Sequence, residues 1–550
     1  MKKSLVLSLS TIALLSTSLN AESMYDRFEA MELKMKQMEK ELKTLKAEKA
    51  AQKELSSQVK DEDDEDEEQD AVKSDDEDEE EGKVSEDDDT DEEADTSDNS
   101  EDEEADDEED DEESVEDQLA EIQETLSDLT KGTSGNHLKF NVDYRFALDN
   151  LNYKMASGET KKNNSFMTNR FWLNMNWSAT ENLSFHGQLA YNKAFGARSI
   201  GNSSANMENF DWIVNENAYD GTLRVRSVYF LYVADELAGL ATPWTFSIGR
   251  RPSTNGHIVN LRDDDHASSP MGHTINVEFD GLSAKLGLDE VTGIDGMYVK
   301  LCAGRGLTNA DTKMSSPTPY ANNTNALPDI DLAGFIFVPY DNGQYSFNTQ
   351  YYYANNLIDS NTSYNGFDTV GGMHSFTANF IANGIGDDWS EYLEDTIFFV
   401  SWAMTKTKPK DRGTQTGMLG SNKAETGSSL WIGAQMPSII SEDGKWGLEY
   451  NHGSRYWRSI TYAEDTNIGS KLATRGDAYE IYFTEPIVED ILSLQLRYTY
   501  IDYKYTGSNG FFGNTTGNSM LIDDIPTSSA MASQIVDKAQ DIRFYIRYRY

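Results

Sequence analysis

From Leu138 to the C-terminus, apolar side chains occupy every second position in segment after segment, and that period restricts the chain to very few folds. Leu138, Phe140, Val142, Tyr144, Phe146 and Leu148 fall on one face, and Lys139, Asn141, Asp143, Arg145 and Ala147 on the other. A repeat of two is that of an extended strand, whose side chains point alternately to opposite sides. It returns at Phe171, Leu173, Met175 and Trp177, and again, after a turn over 178–182, at Leu183, Phe185, Leu189 and Tyr191. Long polar connections and short turns then alternate, which is how a membrane barrel separates the loops of one side from the turns of the other. After the first 21 residues no apolar run approaches the roughly 18 residues that a membrane helix needs, so a membrane role falls to strands.

The pattern predicts an all-β, transmembrane antiparallel barrel over 137–550. Strands are expected near 138–148, 166–177, 183–195, 222–233, 244–251, 274–288, 297–305, 332–338, 345–354, 373–383, 395–405, 428–436, 445–457, 477–484, 491–504 and 540–550. That is sixteen; Asp280 and Gly281 could form a turn instead of a bulge, so about fourteen or eighteen stay open. An even count puts both barrel ends on one side, the periplasmic one, and about sixteen strands leave a water-filled channel. Ile542, Phe544, Ile546, Tyr548 and Tyr550 alternate with Arg543, Tyr545, Arg547 and Arg549, and an aromatic last residue on such a strand resembles the insertion signal of bacterial outer-membrane proteins. Trp177, Trp244 and Trp446 lie beside predicted short turns, where an interfacial girdle belongs. A soluble sandwich also alternates, but its apolar face is internal and its chain rarely this long.

The N-terminal part needs a separate reading, because the formal net charge of -49 is unevenly spread. Between Asp61 and Glu113 there are 37 acids and 2 lysines, whereas 137–550 carries 46 acids and 33 bases. Residues 1–21, with Lys2 and Lys3 before an uncharged stretch, read as a secretory signal cleaved after Ala21. Over 22–58 the apolar positions Met24, Phe28, Met31, Met35, Met38, Leu42 and Leu45 step by four and three, the seam of a coiled coil; a lone amphipathic helix is the alternative. Residues 59–113 are too acidic to bury a core and are expected to be a disordered spacer. Its reach is at most about 170 Å. A short second helix over 114–132 follows the seam Val115, Leu119, Ile122, Leu126 and Leu129. This stem is expected in the periplasm, joining copies into a homo-oligomer, a trimer by preference, and reaching peptidoglycan or holding divalent cations at its acidic run.

The segments ESMYDRFEAME, NENAYDGTLRVR, SIGRRPSTNG, NLRDDD, GHTINVEFDG, DLAGFIFVPYDNGQYS and WGLEYNHGSRYW, with the acidic run between the first two, resemble an uncharacterised family of bacterial porin-like outer-membrane proteins. The resemblance extends over essentially the whole chain. It implies a barrel in the outer membrane and brings no established substrate or catalytic residue.

Chemistry is sparse. The lone Cys302 excludes an internal disulfide, a cysteine zinc cluster and an attached haem, and the acidic balance argues against nucleic acid. The seven histidines show no helical metal spacing. Among them, His257, His266 and His273 share one connection with Asp263, Asp264 and Asp265, either a metal site or a solvated polar loop; neither a metal nor a cofactor is assigned, and no enzyme activity. The same connection carries Arg250, Arg251 and Arg262, and opposed charges there suit a channel constriction, in a position resembling the inward third loop of general porins. Inward strand positions hold Lys139, Arg145, Arg170, Arg224, Arg226, Arg251, Lys300, Arg497, Arg543, Arg547 and Arg549 against Asp143, Glu278, Glu449, Glu480 and Asp541. An excess of bases in a water-filled pore concentrates anions, although arginines also brace barrel walls by pairing with loop acids. Two functions follow: a porin-like channel for small hydrophilic, anionic solutes, or an outer-membrane anchor that tethers the coiled coil to peptidoglycan or partner proteins.

Overall fold

The computed structural model describes residues 138–195, 223–239, 241–314, 316–360, 366–386, 390–412, 417–461, 464–507 and 518–550. The expected signal peptide, coiled coil, acidic spacer and second helix lie outside the described residues. The strands are β1 (Lys139–Met155), β2 (Thr160–Ser178), β3 (Leu183–Ala194), β4 (Arg224–Ala234), β5 (Trp244–Arg251), β6 (Ile275–Asn276), β7 (Phe279–Gly287), β8 (Tyr298–Leu307) and β9 (Ile330–Asp341). They continue as β10 (Tyr345–Ser360), β11 (Phe367–Asn383), β12 (Ile397–Pro409), β13 (Thr426–Pro437), β14 (Lys445–Gly453), β15 (Ile460–Thr461), β16 (Gly476–Val488), β17 (Leu492–Tyr503) and β18 (Val536–Arg549).

All but β6 and β15 join into one closed barrel of sixteen strands, each next to its neighbour in sequence, with β1 closing on β18. The closing register sets Phe146 against Ile546 and Arg145 against Arg547, so the apolar and polar faces of the first and last strands match. Closure leaves no edge strand to template aggregation. The outer face is apolar: Phe140, Leu301, Leu496 and Ile542 are more than half exposed, at 56%, 57%, 52% and 51%. Side chains this apolar and this exposed are stable facing lipid. Many inner positions are polar and buried, among them Ser401, Gln495, Thr377 and Arg497. Trp177, Trp244 and Trp446 all sit at the end of the barrel where β1 begins and β18 ends, Trp244 5.4 Å from the Tyr232 ring and Trp446 4.7 Å from Phe483.

Three sequence expectations are corrected. The polar stretch 150–165, left between the first two expected strands, is not an open loop: β1 and β2 run on through it to a tight turn at 156–159, with Tyr153 paired to Lys161 and Lys154 to Thr160. The extension is held by ladder hydrogen bonds and by Leu151 and Met155, which pack with Ile468, Ile501 and Tyr503 inside the barrel. The segment 274–288 divides: only Phe279–Gly287 is wall, while β6 pairs in parallel with β15. The strand expected over 445–457 stops at Gly453, because Trp457 turns into the lumen as part of the next connection, where it is fully buried.

Two of the long connections, 252–278 and 454–475, fold into the barrel. The first leaves β5 and makes bonds to strands all around the wall. Gln350 of β10 caps Met271, Thr274 meets Thr377 of β11 at 2.7 Å, and His273 bridges Ser401 of β12 and Ser429 of β13. Gln495 of β17 donates to the Arg262 carbonyl at 2.8 Å. A loop that starts on β5 and touches β17 has crossed the lumen. The second loop is tied to the first through β6 and β15, where Ile460 pairs with Ile275. Both supply apolar side chains to an interior core, Ile258, Val259 and Leu472 packing with wall residues Ile381, Phe399 and Trp431.

Candidate functional site

The inner wall and the two loops that enter it form the candidate site. Because β18 closes on β1, Arg543, Tyr545 and Arg547 share a wall with Asp143, Arg145 and Asp149. Asp143 accepts from Arg547 Nη2 at 2.5 Å and from Arg170 Nη2 at 3.2 Å, and Arg543 Nε reaches Asp149 at 2.5 Å. The second loop inserts Asp465 among these bases: Arg145 grips it in two bonds of 2.5 and 2.6 Å, with Arg543 at 3.1 Å and Arg497 at 3.4 Å. Lys471 of the same loop donates to Glu449 and Glu480, both at 2.5 Å. From the first loop, Arg262 reaches Glu480 at 3.1 Å, Asp263 accepts from the Tyr545 hydroxyl at 2.9 Å, and Asp265 from Arg547 at 2.8 Å. Planar guanidinium forks suit such bidentate and shared carboxylates.

Burial and charge oppose each other in the loops. Burial disfavours the Asp263 carboxylate, but Arg262, Arg497 and Arg145 outweigh it and hold the group at about 2. Asp465 is likewise penalised by burial and, through Arg145, Arg543 and Arg497, held well below the usual carboxylate range. Asp265 goes the other way: burial raises it despite Arg547. His273, wholly enclosed, is pushed by burial to about 3 and stands neutral.

The positions singled out in the sequence separate into groups. Arg145, Arg170, Arg226, Arg497, Arg543, Arg547 and Arg549 all face inward and each has a carboxylate partner, Arg226 through Glu278 at 3.4 Å and Arg549 through Asp265 at 3.3 Å. The bases expected to leave a positive field are thus largely occupied in fastening the loops. Lys139 stands exposed at the start of β1, and Arg224 is half-buried at the start of β4. Arg250 does not belong to the constriction: it faces outward on β5, 3.0 Å from Asp280 of β7. Arg251, its neighbour, faces inward, its guanidinium 4.9 Å from the centre of the Tyr229 ring. Arg262, Asp263, Asp264 and Asp265 lie at the far side of the crossing loop, where Asp264 accepts from Lys445 at 3.0 Å. His257, His266 and His273 are not gathered: among the described residues no group of three potential ligands could hold a metal ion.

The second loop was missed by sequence reasoning, and with it Asp465 and Lys471. Its signal was present: Trp457, Ile460, Ile468 and Leu472 are four large apolar residues in a connection that should have been polar if it faced water.

Two open cavities flank the crossing loop. One, of about 640 Å³, lies between Arg262, Gln435, Lys445 and Tyr545; the other, of about 560 Å³, lies between Trp172, His186, Arg226 and Tyr229. Both reach Asp264 and Arg549, so the bond from Arg549 to the Asp264 carbonyl, 2.9 Å, stands between them. A closed, lipid-facing barrel of sixteen strands with a polar interior crossed by loops is the architecture of an outer-membrane β-barrel.

The chain belongs to the family described as "Protein of unknown function (DUF3373)", whose model matches residues 160–550. The match covers the barrel from β2 onward and leaves out the stem, which the sequence resemblance had included. No curated protein matches the sequence. Solved structures with a similar course include the outer-membrane-expressed OmpT of Vibrio cholerae, at 12% identity and TM-score 0.41, covering 76% of this chain and 99% of that one. The anion-selective porin from Comamonas acidovorans is 11% identical with TM-score 0.41, covering 76% of this chain and 100% of that one. Salmonella typhi OmpF in complex with daunomycin is 11% identical with TM-score 0.40, covering 76% and 98%.

Proposed function

We propose that the protein is a non-enzymatic outer-membrane channel through which small hydrophilic, anionic solutes diffuse, its lumen narrowed by the two inward loops. The observation that carries this reading is the inner surface. Many wall positions facing the lumen, among them Arg145, Arg170, Gln495, Arg497 and Arg543, are ionic or hydrogen-bonding, others such as Ile336, Ile381, Phe399 and Trp431 pack in interior apolar clusters, and the strands present apolar side chains outward. A barrel serving only as a membrane anchor gains nothing from a polar interior, whose charges cost desolvation unless paired or wetted. Anion preference is supported by what the ion pairs leave over. The arginine ladder is matched by loop acids, but Lys139 is exposed on β1, and Arg251 and Lys300 face the lumen from β5 and β8 without a carboxylate partner among the described residues. The acidic spacer is a weaker influence on the pore, since its field is cut within about 8 Å at physiological salt. The full chain in a planar bilayer under a potassium chloride gradient should give a reversal potential of the anion-selective sign. A clear cation-selective sign contradicts the charge reading; a silent bilayer supports the anchor instead.

A further inference from the structure

On the arc of wall from β5 to β10, one level of inward positions is made small. Register aligns Ser247, Ser283, Cys302, Gly334 and Tyr352 across five consecutive strands. Gly334 is required there, because a Cβ would stand 2.6 Å from atoms of the Tyr352 ring. Above this row a cavity of about 20 Å³ remains, bounded by Arg251, Ser269, Phe279, Lys300 and Tyr352. Lys300 Nζ donates to Ser269 Oγ at 2.6 Å, and Arg251 lies against Tyr229. Tyr352 is 1% exposed, and its hydroxyl is a hydrogen-bond neighbour of the Cys302 thiol, which lines the same cavity.

Two cations, a thiol and a phenolic hydroxyl therefore border one small space, with no carboxylate in its lining to neutralise the cations. Most other buried cations of this lumen are paired with carboxylates, as their desolvation demands, while Arg475 is met by the Trp457 and Thr506 carbonyls. We propose that a monatomic halide, chloride under ordinary conditions, binds between Arg251, Lys300 and the Tyr352 hydroxyl. Size points to a small anion: roughly 10–15 Å³ accommodates one water-sized sphere, and about 20 Å³ leaves room for a monatomic halide. The first inward loop completes the site through Ser269, so the halide also joins that loop to the wall. The proposal deepens the anion-channel reading, yet binding is measured without any current, and the two can fail separately.

The test is anomalous diffraction at the bromine edge from crystals of the full chain grown in sodium bromide. A peak is expected within hydrogen-bond reach of Lys300 Nζ and the Arg251 guanidinium, and bromide affinity should fall about tenfold or more in K300Q and in R251Q. Bromide seen only at surface positions, an adventitious ion only, overturns the proposal, as does a peak of unchanged occupancy in both variants. If neither variant folds, presence or absence of the wild-type peak decides.

Discussion

Asp465 is the residue on which the second loop depends. It sits 2% exposed among Arg145, Arg497 and Arg543, three bases that no exposed loop could have brought together. Removing one member of a buried pair leaves the others uncompensated, at about 3–5 kcal/mol. Asp465→Asn keeps the shape and deletes the charge, so it should release the loop while the barrel stays closed. Limited proteolysis within 464–475 would register that release, and equal protection in variant and wild type would argue against the latch. Acid acts on the same contacts with a definite sign. Because Asp263 and Asp465 are held below their ordinary values, the stability they give is complete above the ordinary carboxylate value of 3.8 and is lost as pH falls toward 2. Asp265 has the opposite shift, so protonation on acidification relieves its burial. Amide exchange across 464–475, corrected for its intrinsic pH dependence, should be the same at pH 7 and about pH 4. Loss of protection by about pH 5 would mean that other groups hold the loop. None of these partnerships was legible in the sequence. Ion pairs between residues hundreds of positions apart have no local period, and an arginine that lines a pore reads the same as one that pins a loop.

At the scale of elements the wall was nearly all legible, because lipid on one side and a polar lumen on the other impose a period of two on each strand. β5 was expected over 244–251 and is found there; β3 and β17 differ by a residue or so at their ends. Reading failed where that contrast ends. The outer part of β2 carries Lys161 to Asn164, polar on both faces, while Leu151 and Met155 of β1 turn into an interior cluster, and β6 and β15 are two-residue pairings hidden inside the barrel. β18 has the greatest consequence for assembly, since it hydrogen-bonds β17 on one side and β1 on the other. Deleting residues 541–550 would open two edges in the bilayer, where unpaired backbone groups cost several kcal/mol each. The truncated chain should yield no heat-modifiable species on gels of outer-membrane fractions, and normal heat modification would contradict the account. Deleting residues 22–135 should leave insertion intact, because the alternating strands begin only at Leu138.

At the scale of the whole molecule, the proposed channel is a barrel held narrow by two loops. Strand number and polar lining argue for passage, and the crossing loops, with their shared core of Ile258, Leu472 and Trp431, argue for restriction. Both are present, so the channel should conduct weakly until the loops are loosened. Single-channel conductance of the full chain, recorded beside Asp465→Asn in the same bilayers and salt, separates the possibilities. A small, steady conductance in the wild type that rises severalfold in the variant is the predicted result. No conductance in either, from protein shown by heat modification to be inserted, would contradict the channel and leave the anchor.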